Sequence, residues 1–208
     1  MGRYNGPACR LCRREGMKLF LKGDRCYMAK CPIDTGRSAP GMHGARRSKA
    51  SDYARQFREK QRLRRYYGLQ DNQFRLYFAR AAGKKGITGE TLLQMLELRL
   101  DNVVYRLGFA PSRRAARQFV LHQNVVVNGR RADVPSMNLK PGDVIVVKDR
   151  KRSRDAARRY LEANEGKTVS PWLILDRPQF RGEIVHVPTR EEIAPFVNEQ
   201  LVVELCSK

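Results

Sequence analysis

The chain has 208 residues, with 42 Lys or Arg against 21 Asp or Glu, for a formal net charge of +21. About 2–8 net charges keep a small domain soluble, and a larger excess strains the compact state by self-repulsion unless a polyanion is present. Nucleic acid is therefore the expected partner, whereas a wholly disordered basic tail is excluded by the 41% hydrophobic content.

The charge is uneven along the chain. Residues 1–65 hold 18 Lys/Arg against 5 Asp/Glu, residues 66–165 hold 19 against 10, and residues 166–208 hold 5 against 6. The first seven residues, Met1-Gly-Arg-Tyr-Asn-Gly-Pro, lack the apolar core of a signal peptide. Gly6 stands where a myristoylation motif needs Ser or Thr. The apolar runs at 125–127 and 144–147 are too short to cross a bilayer. A cytoplasmic protein is expected.

Residues 1–50 read as irregular, because Gly and Pro recur from Gly2 to Gly44. So small a segment buries little core and needs a staple or a partner. Ser51 or Asp52 then caps a helix over 52–67, with Tyr53, Phe57, Leu63, Tyr66 and Tyr67 near helical spacing and Gly68 beyond its end. A second helix spans about 71–82. A third starts behind Thr88 and runs through Leu92, Leu93, Leu96, Leu100, Val103, Val104 and Leu107 without interruption of its three-four pattern.

Beyond it the pattern is mixed. Ser112 caps a short helix over 113–121. Asn128-Gly129, between the strand 125–127 and a return through 130–134, is a strong hairpin signal. Pro141-Gly142-Asp143 turns into a strand over 144–147. A basic helix over about 153–164 and strands over 172–175 and 180–187 follow, and Asn198 caps a final helix over 199–205. The fold class is α+β with a small, mainly antiparallel sheet.

Cys9-x2-Cys12-x13-Cys26-x4-Cys31 carries the strongest chemistry. A close pair followed by a returning pair suits a closed tetrahedral site of four thiolates, with Zn–S bonds of about 2.3 Å, and bound metal supplies folding energy that a small core lacks. Zinc is expected and an iron–sulfur cluster is the alternative. Neighbouring Arg10, Arg13, Arg14, Lys18, Arg25 and Lys30 favour the ionised thiols. Cys206, alone in an apolar stretch, reads as a small packing residue.

Two basic clusters follow. Arg46, Arg47 and Lys49 precede the helix 52–67, whose Arg55, Arg58, Lys60, Arg62, Arg64 and Arg65 are offset between 55 and 65 only by Glu59. A solvated face normally interleaves both signs, so phosphate contact is expected of all nine residues. In the second cluster, Arg113 and Arg117 share one helical face with Arg114 beside them.

The second cluster, together with Arg99-Leu-Asp101-Asn-Val-Val-Tyr-Arg106 and Val127-Asn128-Gly129-Arg130, resembles the S-four RNA-binding module, a small fold that grips structured RNA. The N-terminal heptapeptide, Arg13-Arg14-Glu15-Gly16, Pro40-Gly41-Met42-His43-Gly44, Ser51-Asp52-Tyr53, Arg58-Glu59-Lys60-Gln61 and the closing Asn198-Glu199-Gln200-Leu201 extend the likeness from end to end. The chain thus resembles the bacterial small-subunit ribosomal protein S-four family in its cysteine-bearing form. Met42 departs from the Gln of many relatives.

The resemblance implies a primary binder of 16S rRNA that docks early in assembly at a multi-helix junction. It also implies contact with ribosomal protein S-five and a place near the channel through which mRNA enters, with Arg46, Arg47 and Lys49 facing the message. Arg99, Arg113, Arg114, Arg117, Asn128 and Arg130 are the RNA-binding candidates of the module. The implied organisation is a metal-binding extension over 1–45, a helical domain over 46–97 completed by 188–208, and the RNA-binding module inserted over 98–187.

Two other classes fare worse. The same module is appended to pseudouridine synthases and some tRNA synthetases, but this chain has no room for a catalytic domain. Gly36-Arg-Ser-Ala-Pro-Gly41 lacks the Lys-Ser/Thr of a phosphate loop, and His43, His122 and His186 are dispersed. An enzyme is not expected. A zinc-bearing DNA-binding protein would need a recognition helix after the cysteines, and none is evident.

Overall fold

The computed structural model describes residues 2, 4–45, 49–163, 168–193 and 196–207. The chain divides into two compact units, one of residues 1–92 with 195–208 and one of residues 93–194. Among the described residues no helix is long and apolar enough to cross a membrane.

The first unit is helical. It contains α1 (Ala8–Glu15), a 3-10 turn (Gly23–Cys26), α2 (Asp52–Tyr66), α3 (Asp71–Ala82), the start of α4 (Thr88–Glu97) and α8 (Glu199–Cys206). Ser51 Oγ accepts from the Ala54 amide at 3.2 Å, and Asn198 Oδ1 accepts from the amides of Gln200 and Leu201 at 3.0 and 3.4 Å. Both side chains satisfy amides that a helix start leaves open.

The C-terminal segment packs against α2. Gln56 Nε2 donates to Glu204 at 2.9 Å, the Asn198 amide donates to Glu59 at 3.1 Å, and the Tyr66 and Phe196 rings stack with centroids 3.8 Å apart. Gly89 lets α4 approach α8: a Cβ there would lie 3.0 Å from Glu199 Cγ.

The second unit holds α5 (Leu100–Arg106), α6 (Arg113–Leu121), α7 (Lys151–Ala163) and a sheet of β1 (Val125–Val127), β2 (Arg130–Ala132), β3 (Val144–Val147), β4 (Leu173–Asp176) and β5 (Arg181–Ile184). The order is β2-β1-β3-β5-β4, with every neighbouring pair antiparallel. Ile145 and Val147 of β3 and Gly182 and Ile184 of β5 turn inward at the period of two that a strand imposes. They meet Leu100, Val103 and Val104 of α5, Leu107 just beyond it, Ala116 and Val120 of α6, Ala157 and Leu161 of α7, and Trp172.

Two expectations are corrected. Residues 1–50 are not irregular throughout, since α1 forms between Pro7, which suits a helix start, and Gly16, whose φ of 70° ends the helix in the left-handed region. Nor is 88–107 one helix. At Arg99 the backbone is extended (φ −69°, ψ 137°) and bridges to Asn138. The Leu100 and Asp101 amides donate to the Met137 and Pro135 carbonyls at 2.8 and 3.1 Å, and the Leu139 amide to the Leu98 carbonyl at 2.9 Å. Long-range partners replace the helical ones, and the apolar periodicity continues across the break because both halves face a core. Smaller differences are a start at Lys151 for α7, at Leu173 for β4, and an end at Ile184 for β5.

Candidate nucleic-acid interface and cysteine cluster

Cys9 and Cys12 sit on α1, Cys26 ends the 3-10 turn, and Cys31 begins the next turn. All four line one cavity of about 20 Å³ with Ala8, Leu21 and Ile33. Cys12, Cys26 and Cys31 are buried, and Cys9 is half-buried. Cys12 also belongs to a small core with Ala8, Leu19 and Leu21. Burial pushes the Cys12 and Cys26 thiols up, as do the charges of the other sulfurs, while backbone amides of Leu19 and Lys22 pull them down. The Lys22 amide donates to Cys26 Sγ at 3.4 Å. Among the described residues no three His, Cys, Asp or Glu side chains are gathered as a formed metal centre.

Electrostatics decide which cations of α2 face outward. Glu15, the last residue of α1, is buried to 4% exposure. Its carboxylate pairs with Arg65 and, at 3.3 Å, with Arg58, while its carbonyl accepts from Arg62 at 3.2 Å. Burial raises the Glu15 carboxyl against the pull of Arg65, Arg58 and Arg62. It also lowers the guanidiniums of Arg58 and Arg65, against the opposite pull of Glu15. Arg62 pairs with Glu59, Arg64 donates to Gln61 at 2.6 and 3.1 Å, and Lys60 pairs with Asp71 of α3 at 3.2 Å. Arg55 stays exposed, with Asp52 at 3.1 Å, and Lys49 is exposed.

In the second unit a buried polar network joins α4, α5 and α6. Glu97, 1% exposed, accepts from Arg106 at 2.7 and 3.0 Å and from Asn102 Nδ2 at 2.6 Å. Asn102 Oδ1 accepts from Arg113 Nε at 2.8 Å, and the Arg113 guanidinium lies 4.6 Å over the Tyr105 ring. Arg99, also 1% exposed, grips Asp101 through two hydrogen bonds of 2.9 and 3.1 Å, and Arg117 reaches the same carboxylate at 3.5 Å. Buried charges endure only when paired and hydrogen-bonded in this way.

The hairpin is clamped at its tip. Asn128 and Gly129 have φ of 49° and 77°, the type I′ signs that match strand twist. Asn128 Nδ2 donates to Asp143 at 2.8 Å, and its Oδ1 accepts from the Val144 amide at 2.9 Å.

A family model described as "Ribosomal protein S4/S9 N-terminal domain" matches residues 3–97, and one described as "S4 domain" matches residues 98–145. The chain is 56% identical to small ribosomal subunit protein uS4 of Natranaerobius thermophilus, 55% to that of Trichlorobacter lovleyi and 54% to that of Thermus thermophilus, each alignment covering all of both chains. The chain belongs to the ribosomal protein uS4 family.

Against that family background, the sequence-named residues fall into three groups. Arg46 and Arg47 lie outside the described residues. Arg99, Lys60 and Arg113 are buried, with Asp101, Asp71 and Asn102 as internal partners. Asn128 is exposed and clamps the hairpin with both atoms of its amide. Lys49, Arg55 and Arg130 are exposed, and Arg58, Arg62, Arg64, Arg65, Arg114 and Arg117 are half-buried. Sequence reasoning passed over exposed Arg131 beside the hairpin and exposed Lys151, Arg152, Arg158 and Arg159 of α7. Their signal was present: α7 buries Ser153, Ala157 and Leu161 and leaves these cations on other faces.

Proposed function

We propose that this protein is a structural, non-enzymatic constituent of the small ribosomal subunit that binds 16S rRNA directly and early in assembly. The observation that carries this reading is the full-length identity of 54–56% to small-subunit proteins of that name, borne by a chain of net charge +21. Contact with RNA falls to Lys49, Arg55, Arg114, Arg117 and Arg130, supported by the half-buried arginines of α2. The chain acts near the channel through which mRNA enters, with the cations of the run Arg46-Arg47-Ser48-Lys49 available to the message. The near-neutral residues 166–208 are free of a phosphate-binding excess and suit contact with a neighbouring protein, ribosomal protein S-five.

Cys9, Cys12, Cys26 and Cys31 hold one structural zinc ion in this reading. Four soft thiol donors around one cavity, two of them facing backbone amides, fit such an ion. An iron–sulfur cluster is the alternative, and metal analysis separates the two. The ion would staple α1 to the turns that follow it, and it leaves no open position for catalysis.

The test is binding of 16S rRNA against duplex DNA across a salt series. Affinity for the rRNA is expected to exceed that for DNA and to fall linearly on a log–log plot, by about 0.7–0.9 for each phosphate contacted. Equal affinity for both polymers, or a flat salt response, overturns the reading.

A further inference from the structure

A cleft of about 360 Å³ opens beside β2, lined by Val127, Asn128, Arg130, Arg131, Ala132 and Met137. One wall is the β1–β2 hairpin, held by the type I′ turn and by Asn128 clamped to Asp143 and Val144. The opposite wall is the segment carrying Met137, whose carbonyl is tied to the Leu100 amide at 2.8 Å. Both walls are therefore fixed by hydrogen bonds. Arg130 and Arg131 are exposed and enter no ion pair among the described residues, and Met137 exposes 37% of its surface.

We infer that this cleft takes a single unpaired nucleotide of the bound RNA, its base against Val127 and Met137 and its phosphate on Arg130, the cross-strand partner of Val127. The inference rests on the RNA-binding reading above and narrows it to one nucleotide. The volume lies near the lower end of the roughly 300–1,000 Å³ of small-molecule pockets, which suits one nucleotide and excludes a stacked base pair. Unstacked bases are recognised by apolar and guanidinium faces, whereas paired RNA offers mainly its backbone. The competing occupant is an acidic peptide adding a strand to β2, the edge of the sheet. Adjacent arginines on an edge strand oppose strand addition, so the nucleotide is favoured.

The test uses full-length protein with ¹³C-methyl methionine and two RNA hairpins sharing one stem, one fully paired and one with a single-nucleotide bulge. The Met137 methyl resonance is expected to shift with the bulged RNA and to stay in place with the paired one. Arg130→Ala is expected to weaken the bulged RNA about tenfold more than the paired RNA, the loss of one charge-assisted guanidinium–phosphate contact. Circular dichroism checks that the variant folds, and the methyl measurement needs no variant. A Met137 methyl that responds alike to both bound RNAs, or to neither, overturns the nucleotide cleft while leaving RNA binding intact. Failure of both hairpins to bind while 16S rRNA binds overturns the cleft alone, and failure of 16S rRNA as well overturns the RNA reading with it. A shift with an acidic strand-forming peptide but not with the bulged RNA assigns the cleft to a peptide and overturns the inference.

Discussion

Arg113 Nε donates a 2.8 Å hydrogen bond to Asn102 Oδ1, turning an arginine at the start of α6 inward onto α5. The other end of the same Asn102 amide donates to Glu97, so one side chain couples the carboxylate that receives Arg106 to the helix carrying Arg113. A residue that resembles an RNA contact in sequence is thus part of the module's framework.

Arg113→Ala should therefore destabilise the fold. It leaves Asn102 Oδ1 without this donor in a buried site, at a cost of about 1–3 kcal/mol, and each kcal/mol lowers Tm by roughly 2–4 °C in a chain of this length. Arg114→Ala, at a half-buried neighbour, should shift Tm less. Thermal melts followed by circular dichroism compare the two, and equal Tm values would refute the framework role.

Gly182→Ala should also destabilise the second unit. A Cβ at this position of β5 would fall within the side chain of Leu107, the residue that follows α5. Overpacking of this kind costs about 1–3 kcal/mol. Adding Leu107→Ala to the Gly182→Ala variant should cost less than the two single changes together. A double-mutant cycle from urea midpoints reads the coupling, and strict additivity would count against the steric account.

Acid stability should depend on Asp71. Burial pushes its carboxyl up, but Lys60 at 3.2 Å and Arg75 at 2.8 Å outweigh that and hold it below the ordinary aspartate value. A carboxyl depressed in the folded state contributes stability above its unfolded pKa and loses it as pH falls through the folded value. Asp71→Asn should thus lower the urea midpoint at pH 7 and flatten its decline below about pH 4. An unchanged pH profile would dismiss the Lys60–Asp71 pair as a source of stability.

Metal removal should act locally. One zinc per chain is expected by elemental analysis, and Cys12→Ser should reduce it together with amide protection in α1, leaving the sheet of the second unit protected. Hydrogen exchange resolves the two regions. Full metal-independence of α1 protection would remove the structural role of the ion.

The elements written in local chemistry are legible in the amino-acid sequence. Ser51, Ser112 and Asn198 cap the helices expected of them, and Asn128-Gly129 makes the expected hairpin. Such signals depend on residues within a few positions of each other. The break at Arg99 is not legible, because the carbonyls of Pro135 and Met137 that redirect its neighbours' amides lie more than 30 residues away. The cation count on α2 misleads in the same way: Glu15, 50 residues before Arg65, and Asp71 of the next helix neutralise part of it.

By itself, then, the sequence determined the α+β class, the family, most helix starts, the hairpin and the need for a polyanionic partner, since caps, turns, periodicity and net charge are properties of neighbouring residues or of their sum. Only the tertiary structure decided which cations face outward. Formal charge is blind to burial, and the ion pairs that take Arg99, Lys60 and Arg113 inside exist only once distant segments are brought to within hydrogen-bonding distance.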